Sequence, residues 1–241
     1  MAAAKQDTEV ALSSKKIGRR EAMALMGAAG AAVAFGCGDS PTSPTTSSVS
    51  SSTTSTNAAC SVTPTETVGP YPSLTDLFRS DIREDKPGTV LTLTIKVVNT
   101  NAGCAAVPNA NVEIWHVDAA GNYSQHGTQT TQTYLRGIQT TDSDGQVTFT
   151  TIYPGWYQGR ATHIHAEVTI NGVSRKVTQI AFPESVNNTI HASGVYASRG
   201  TNPMSNAADR IFADSLASAL VTPTGSASSG YAATFQIAIA V

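Results

Sequence analysis

Between residues 157 and 165 the chain carries a phenol, a guanidinium and two imidazoles, within the stretch TIYPGWYQGRATHIHAEV. The run 161–170 (ATHIHAEVTI) alternates in the manner of a strand, and a period of two places His163 and His165 on one face with Ile164 on the other. Two imidazoles aimed at one point are a metal site in outline. Pro154-Gly155 is a turn signal, so Tyr157 leaves a bend from which its phenol can swing back toward those imidazoles. Each residue has an ordinary explanation when taken singly: strand histidines are satisfied by core or water, a tyrosine after a turn packs, and an arginine near a strand end is a solvated charge. The combination is what points to ligation. Glu167, two residues beyond His165, could share their face, and a His/Glu set would suit Fe(II) or Zn(II).

Strands must carry these residues. The runs 90–98 (VLTLTIKVV), 110–117 (ANVEIWHV), 145–152 (GQVTFTTI) and 231–241 (YAATFQIAIAV) alternate apolar and polar positions, and Asp142-Ser143-Asp144-Gly145 is a turn before the third of them. The run 161–170, the turn Asn171-Gly172 and the run 173–182 read as a hairpin. Only 206–220 (NAADRIFADSLASAL) has helical composition and spacing. Many short strands with one short helix and long loops predict an all-β chain folded as an antiparallel β-sandwich. His116, opposite Trp115 in the alternation, reads as structural or surface, and His126 and His191 as loop residues.

A second tyrosine, Tyr123, follows the Gly121-Asn122 turn in EIWHVDAAGNYS. The run P-x-A-x-V-E-I-W-x-x-D-x-x-G-x-Y over 108–123 is followed by R-G-x-x-T-x-D-x-x-G-x-x-x-F-x-T-I-x-P-G-x-Y over 136–157, then by Arg160 and His-Ile-His. Together with TPTETVGPYP at 63–72 and TQIAF at 178–182, these motifs resemble the intradiol ring-cleavage dioxygenases, the family of protocatechuate and catechol dioxygenases. The likeness covers most of 60–182. It implies that Tyr123, Tyr157, His163 and His165 are ligands of a non-haem Fe(III). It also implies that Arg160 stands beside the substrate ring, Gln179 behind the metal, and that O2 is inserted into a catechol-type ring to give a cis,cis-muconate. Catalytic roles fall to Tyr157, Arg160 and Gln179; Tyr71, Pro72, Trp156 and Arg160 are candidates for contacting substrate. If Arg160 is structural instead, Glu113 or Asp118 would be its ion-pair partner.

The donor set argues for the same metal by itself. With a solution pKa near ~10, a tyrosine held as phenolate at neutral pH costs roughly 4 kcal/mol without a cation. A hard trivalent ion offsets that cost, and Fe(III) suits phenolate oxygen better than Zn(II) or Cu(I). Two tyrosinates and one hydroxide neutralise a +3 ion, so the site can be buried without an uncompensated charge.

Three segments divide the 241 residues. Residues 1–36 read as an export signal: KKIGRR at 15–20 ends in the twin arginine of the Tat route, and an Ala/Gly-rich apolar stretch too short to span a bilayer follows it. The stretch closes on Cys37 as AFGC, which resembles a lipoprotein signal and makes Cys37 a candidate lipid anchor. Residues 37–59 are Ser/Thr/Pro-rich and read as a flexible tether, leaving 60–241 as a catalytic domain. In an oxidising compartment Cys60 and Cys104 are a candidate disulfide. A net charge of −2 with 13% charged residues argues against nucleic acid as a partner.

Two residues separate Tyr157 from Arg160, where soluble members of the family carry a longer loop, so the mouth of the site is expected to be open. Arg160 is the one obvious pocket cation and already has a task, which favours a neutral catechol or hydroxyquinol over protocatechuate. The competing reading is a non-catalytic, transthyretin-like or regulatory β-sandwich binding module, which shares the P-x-A-x-V-x-I-W and P-G-x-Y patterns but has no use for two tyrosines and His-x-His in register.

Overall fold

The computed structural model describes residues 60–241. The expected signal at 1–36, Cys37 and the tether at 37–59 lie outside the described residues. The strands are β1 (Val90–Asn99), β2 (Ala105–Ala106), β3 (Asn111–Trp115), β4 (Arg136–Thr140), β5 (Gln146–Ile152), β6 (His163–Ile170) and β7 (Val173–Ala181). Helix α1 (Glu184–His191) and the single turn α2 (Leu216–Ala219) precede β8 (Thr224–Ser226) and β9 (Gly230–Ile239).

Two sheets form. β1 is paired on one edge with β5 and β2 and on the other with β9, which continues to β8. The second sheet runs β4-β3-β6-β7 and is antiparallel throughout. The strand periodicity is met: Leu91, Leu93 and Ile95 of β1, Phe149 of β5 and Phe235 and Ile237 of β9 pack against Val112, Ile114, Ile164, Val168 and Ile180 of the other sheet. Each such aliphatic or aromatic side chain contributes about 1.5–3 kcal/mol on burial. Trp115, His163, His165 and Gln179 alternate with these residues and so stand on the outer face of the second sheet.

Three expectations are corrected. β1 and β9 pair in parallel, so the first sheet is mixed; alternation sets which face a residue takes but not the direction of a partner strand. The segment 206–220 is not one helix: it breaks into a one-turn 3-10 helix, Arg210–Phe212, and α2. Asp209 accepts from the Ile211 amide, and such local side-chain bonding competes with helix continuation. The eight-residue helix instead lies at α1, whose Asn/Thr-rich sequence hides it. Tertiary contacts hold it there: Asn187 accepts the Tyr153 hydroxyl at 2.7 Å and Ile190 is buried.

The β6–β7 hairpin turns at Asn171 and Gly172, with φ of 52° and 74°, as a two-residue type I′ connection requires. That turn and the bulge at Val168/Thr169 set a register in which His165 faces Gln179. A slip of one residue would turn both imidazoles into the sandwich core. The expected Cys60–Cys104 disulfide is present, with Cα atoms 5.8 Å apart, and ties the start of the domain to the loop after β1.

Candidate metal centre

One row of paired residues crosses the second sheet: Arg136 on β4, Trp115 on β3, His165 on β6 and Gln179 on β7. Trp115 and His165 stack with ring centres 4.8 Å apart and an interplanar angle of 1°, which fixes the plane of that imidazole. His163, one strand repeat away, donates from Nδ1 to the Ala161 carbonyl at 2.6 Å. Its Nε2 therefore carries a lone pair, and it lies 3.2 Å from Nε2 of His165. Both rings are buried. Burial pushes the His163 imidazolium down to about 3, with Arg160 acting the same way; burial, then the neighbouring His163, holds His165 well below its usual range. The pair is neutral; His163 presents a bare Nε2, and the Nδ1 of His165 is buried without a partner.

Both phenols come from loops. Tyr123 is 5% exposed, and its hydroxyl is buried with no hydrogen-bond partner. Its ring lies 5.6 Å from that of Tyr157 and 6.2 Å from that of His165. Tyr157 in turn sits 5.6 Å from His163 between ring centres. Burial raises the Tyr123 phenol well above its usual range, and raises Tyr157 too, although Arg160 opposes the latter shift. The chain bends after Tyr157, at Gln158-Gly159, rather than at Pro154-Gly155 as the turn signal suggested. Gly155 is needed for a different reason: a Cβ there would collide with the backbone carbonyls of Asp118 and Ala119.

These residues fit a hard, highly charged cation. Two imidazole nitrogens face each other across a short gap, a buried hydroxyl lacks a partner, and the amino-terminal strap leaves room through Gly69 (φ 74°), where a Cβ would stand 3.1 Å from Cε1 of His165. A buried polar atom without a partner costs about 1–3 kcal/mol, and ligation removes that cost. Among the described residues no three His, Cys, Asp or Glu side chains are placed to hold a metal ion. Glu167 instead pairs across the strands with Glu113 and lines a separate cavity with Asp76 and Phe78.

Arg160 reaches the same cluster. Its Nε donates to Oδ2 of Asp209 at 2.8 Å, one terminal nitrogen donates to Oε1 of Gln179, and the other lies 3.4 Å from the Tyr157 hydroxyl. Its ion-pair partner is thus neither Glu113 nor Asp118. Gln179 also donates to the Thr67 carbonyl at 2.8 Å, tying β7 to the strap that carries Gly69 and Tyr71. Sequence reasoning missed Asp209, which lies inside the stretch read as helix and carries no motif of its own. It also missed what Arg136 does: fully buried, Arg136 donates to the Ser124 and Tyr71 carbonyls and to the Ser124 and Ser73 hydroxyls, fastening the Tyr123 loop to the strap.

An open cavity of about 150 Å³ borders the two phenols, lined by Tyr71, Asn122, Tyr123, His126, Gln129 and Tyr157 among others. Tyr71 packs 4.8 Å from Tyr123. Pro72, Trp156 and Arg160 are not among the lining residues, and Arg160 meets the cavity wall only at the Tyr157 hydroxyl. The Pro72 carbonyl accepts from His126 Nε2 at 2.7 Å, and Trp156 donates to Gly200 O at 2.9 Å beneath the Arg199 guanidinium. His116 is structural, bonded to Thr151 Oγ1 at 2.7 Å and to Val117 O at 2.9 Å. His191 is not a loop residue but the buried last residue of α1.

The dioxygenase family profile matches residues 68–221, continuing past Phe182 to include Asp209. An intradiol ring-cleavage dioxygenase from Tetranychus urticae has a similar structure, 32% identical, with a TM-score of 0.68 over 75% of this chain and 95% of that one. The dioxygenase domain of a carbohydrate-binding fusion protein from Streptomyces sp. SirexAA-E is 26% identical, with a TM-score of 0.58 over 75% and 99%. The beta chain of protocatechuate 3,4-dioxygenase from Burkholderia cepacia is 33% identical over 132 residues, 49% of this chain and 54% of that one; the match thus spans about half the length of that relative. The chain belongs to the intradiol ring-cleavage dioxygenase family.

Proposed function

We propose that the protein is a non-haem Fe(III) enzyme that inserts both atoms of O2 into a catechol-type ring, breaking the bond between the two hydroxyl-bearing carbons to give a cis,cis-muconate. The supporting observation is the convergence of two phenols and two neutral imidazoles at one buried point in a member of this family. Tyr123, Tyr157, His163 and His165 are the residues to hold the iron, which when bound supplies a Lewis acid and an electron acceptor for the catecholate. Tyr157 is the less buried phenol and borders the cavity, so its oxygen is the base an incoming catechol hydroxyl reaches. Arg160 directs a guanidinium N–H at that oxygen and offers a fixed positive charge to an electron-rich ring. Gln179 orients Arg160 from behind, and Tyr71 walls the cavity against solvent.

The cavity also favours a class of substrate. Its volume of about 150 Å³ is of the order that accommodates a single benzene ring. No Lys, Arg, Asp or Glu side chain lines it, and the guanidinium of Arg160 is already paired with Asp209. A carboxylate on the ring would find no free cation, so a neutral catechol or hydroxyquinol is the preferred substrate. The twin-arginine segment supports export by the Tat route to the cell envelope or beyond, and Cys37 is the candidate site of lipid attachment.

The test is a visible absorption spectrum of the iron-loaded protein before and after catechol is added. A broad tyrosinate-to-iron band that moves to longer wavelength with catechol, with O2 uptake matched by muconate, is the expected result. A colourless protein holding stoichiometric metal, or one that binds none, would sink the proposal.

A further inference from the structure

We infer that Asp209 is the positioning residue that holds Arg160 in its working orientation. The need for such a residue follows from the backbone around Arg160. Gln158 and Gly159 before it are exposed, and no atom lies within 4 Å of where a Gly159 Cβ would stand. The turn itself is held by one long bond, from Arg160 N to Tyr157 O at 3.4 Å. An arginine on such a turn has many rotamers available, and ordering it costs side-chain entropy.

Asp209 removes that freedom from two sides. Its Oδ2 accepts both from Nε of Arg160 and from the backbone amide of Ala161, each at 2.8 Å. One oxygen thus fixes the side chain and the chain segment that leads into β6. Its Oδ1 accepts from the Ile211 amide at 2.9 Å, so the carboxylate cannot rotate without breaking the 3-10 turn that follows. The Asp209 side chain is 2% exposed and that of Arg160 is 13% exposed. With Nε committed, the planar guanidinium has its two remaining nitrogens directed at Gln179 and Tyr157. Asn202 completes the hold by donating to the Arg160 carbonyl at 2.9 Å. Without Asp209 the guanidinium would keep a neutral amide, a phenol and the Phe212 ring 5.9 Å away, but no carboxylate.

This role rests on the function proposed above, and its test has one arm that depends on that function and one that does not. In the iron-loaded full chain, Asp209→Asn is expected to lower kcat by about 10- to 100-fold, the scale of a catalytic group displaced by about 1 Å. In an Arg160→Gln background the same change should alter kcat less than about twofold, because its effect travels through Arg160. Equal losses in both backgrounds would overturn the inference. The second arm follows hydrogen exchange at the Arg160 Nε–H by NMR in the metal-free protein: protection in the wild type and its loss in Asp209→Asn are expected. Equal protection in the two proteins would overturn the inference even if no catechol is ever turned over. If the amide variant does not fold, Asp209→Glu, which keeps the charge and shifts its position, is read by the same two measurements with the same criteria.

Discussion

The Nε2 atoms of His163 and His165 lie 3.2 Å apart, on a strand whose opposite face is part of the sandwich core. The same strand therefore does two jobs with alternate residues: Ile164, Ala166 and Val168 hold the sheets together, and the imidazoles between them face outward under the loops that bring Tyr123 and Tyr157.

Tyr123 gives the sharpest test of that arrangement. Its buried hydroxyl has no partner, so Tyr123→Phe is expected to stabilise the metal-free protein by about 1 kcal/mol. The same change should weaken iron binding and lower turnover at least about 100-fold, since even groups behind a ligand commonly cost 10- to 100-fold. Urea unfolding of the metal-free forms and iron titration of each check the two halves. A destabilised metal-free variant would show that the hydroxyl is already satisfied.

Acid should act on His116. Burial pushes its pKa down from 6.5 to about 4, so between those values the unfolded chain takes up a proton that the folded chain refuses. Its contribution is whole above pH 6.5 and falls as the pH drops toward 4, by roughly 3 kcal/mol in all. The wild type should therefore lose more stability than His116→Gln when urea unfolding is compared at pH 7.5 and pH 5. Parallel losses would mean that His116 is protonated in the folded state.

Arg136 is expected to be intolerant of a conservative change. It makes five hydrogen bonds to the Tyr123 loop and the Tyr71 strap, and no carboxylate is within ion-pair distance of it among the described residues. Lysine keeps the charge but cannot span those acceptors, so Arg136→Lys should cost roughly 2–4 kcal/mol and speed amide exchange at 71–74. A variant as stable as wild type, with an unchanged strap, would contradict this.

Much of the site was legible because it is local in the chain. Period-two alternation put His163 and His165 on one face, and the turn at Asn171-Gly172 marked the hairpin that sets them opposite β7. Spacing also kept Tyr157 within reach. Turn chemistry was less legible: Pro154-Gly155 carries the stronger signal, yet the bend falls at Gln158-Gly159, because Gly155 is spent on a close approach to the 118–119 carbonyls. Helix propensity misled at 206–220, where Asp209 is drawn to Arg160 and to its own turn.

What the sequence determined by itself was six of the nine strands among the described residues, their faces and the motifs of the family, all of which depend on residues a few positions apart; the short strands β2, β4 and β8 show no period. Tertiary structure alone decided that β9 lies parallel to β1, that Arg136 pins Tyr71 to Tyr123, and that Asp209 closes on Arg160 from 49 positions away. The physical reason is the same in each case. A buried donor or acceptor must find a partner wherever packing supplies one, and packing is settled by the meeting of distant segments, which no local pattern records.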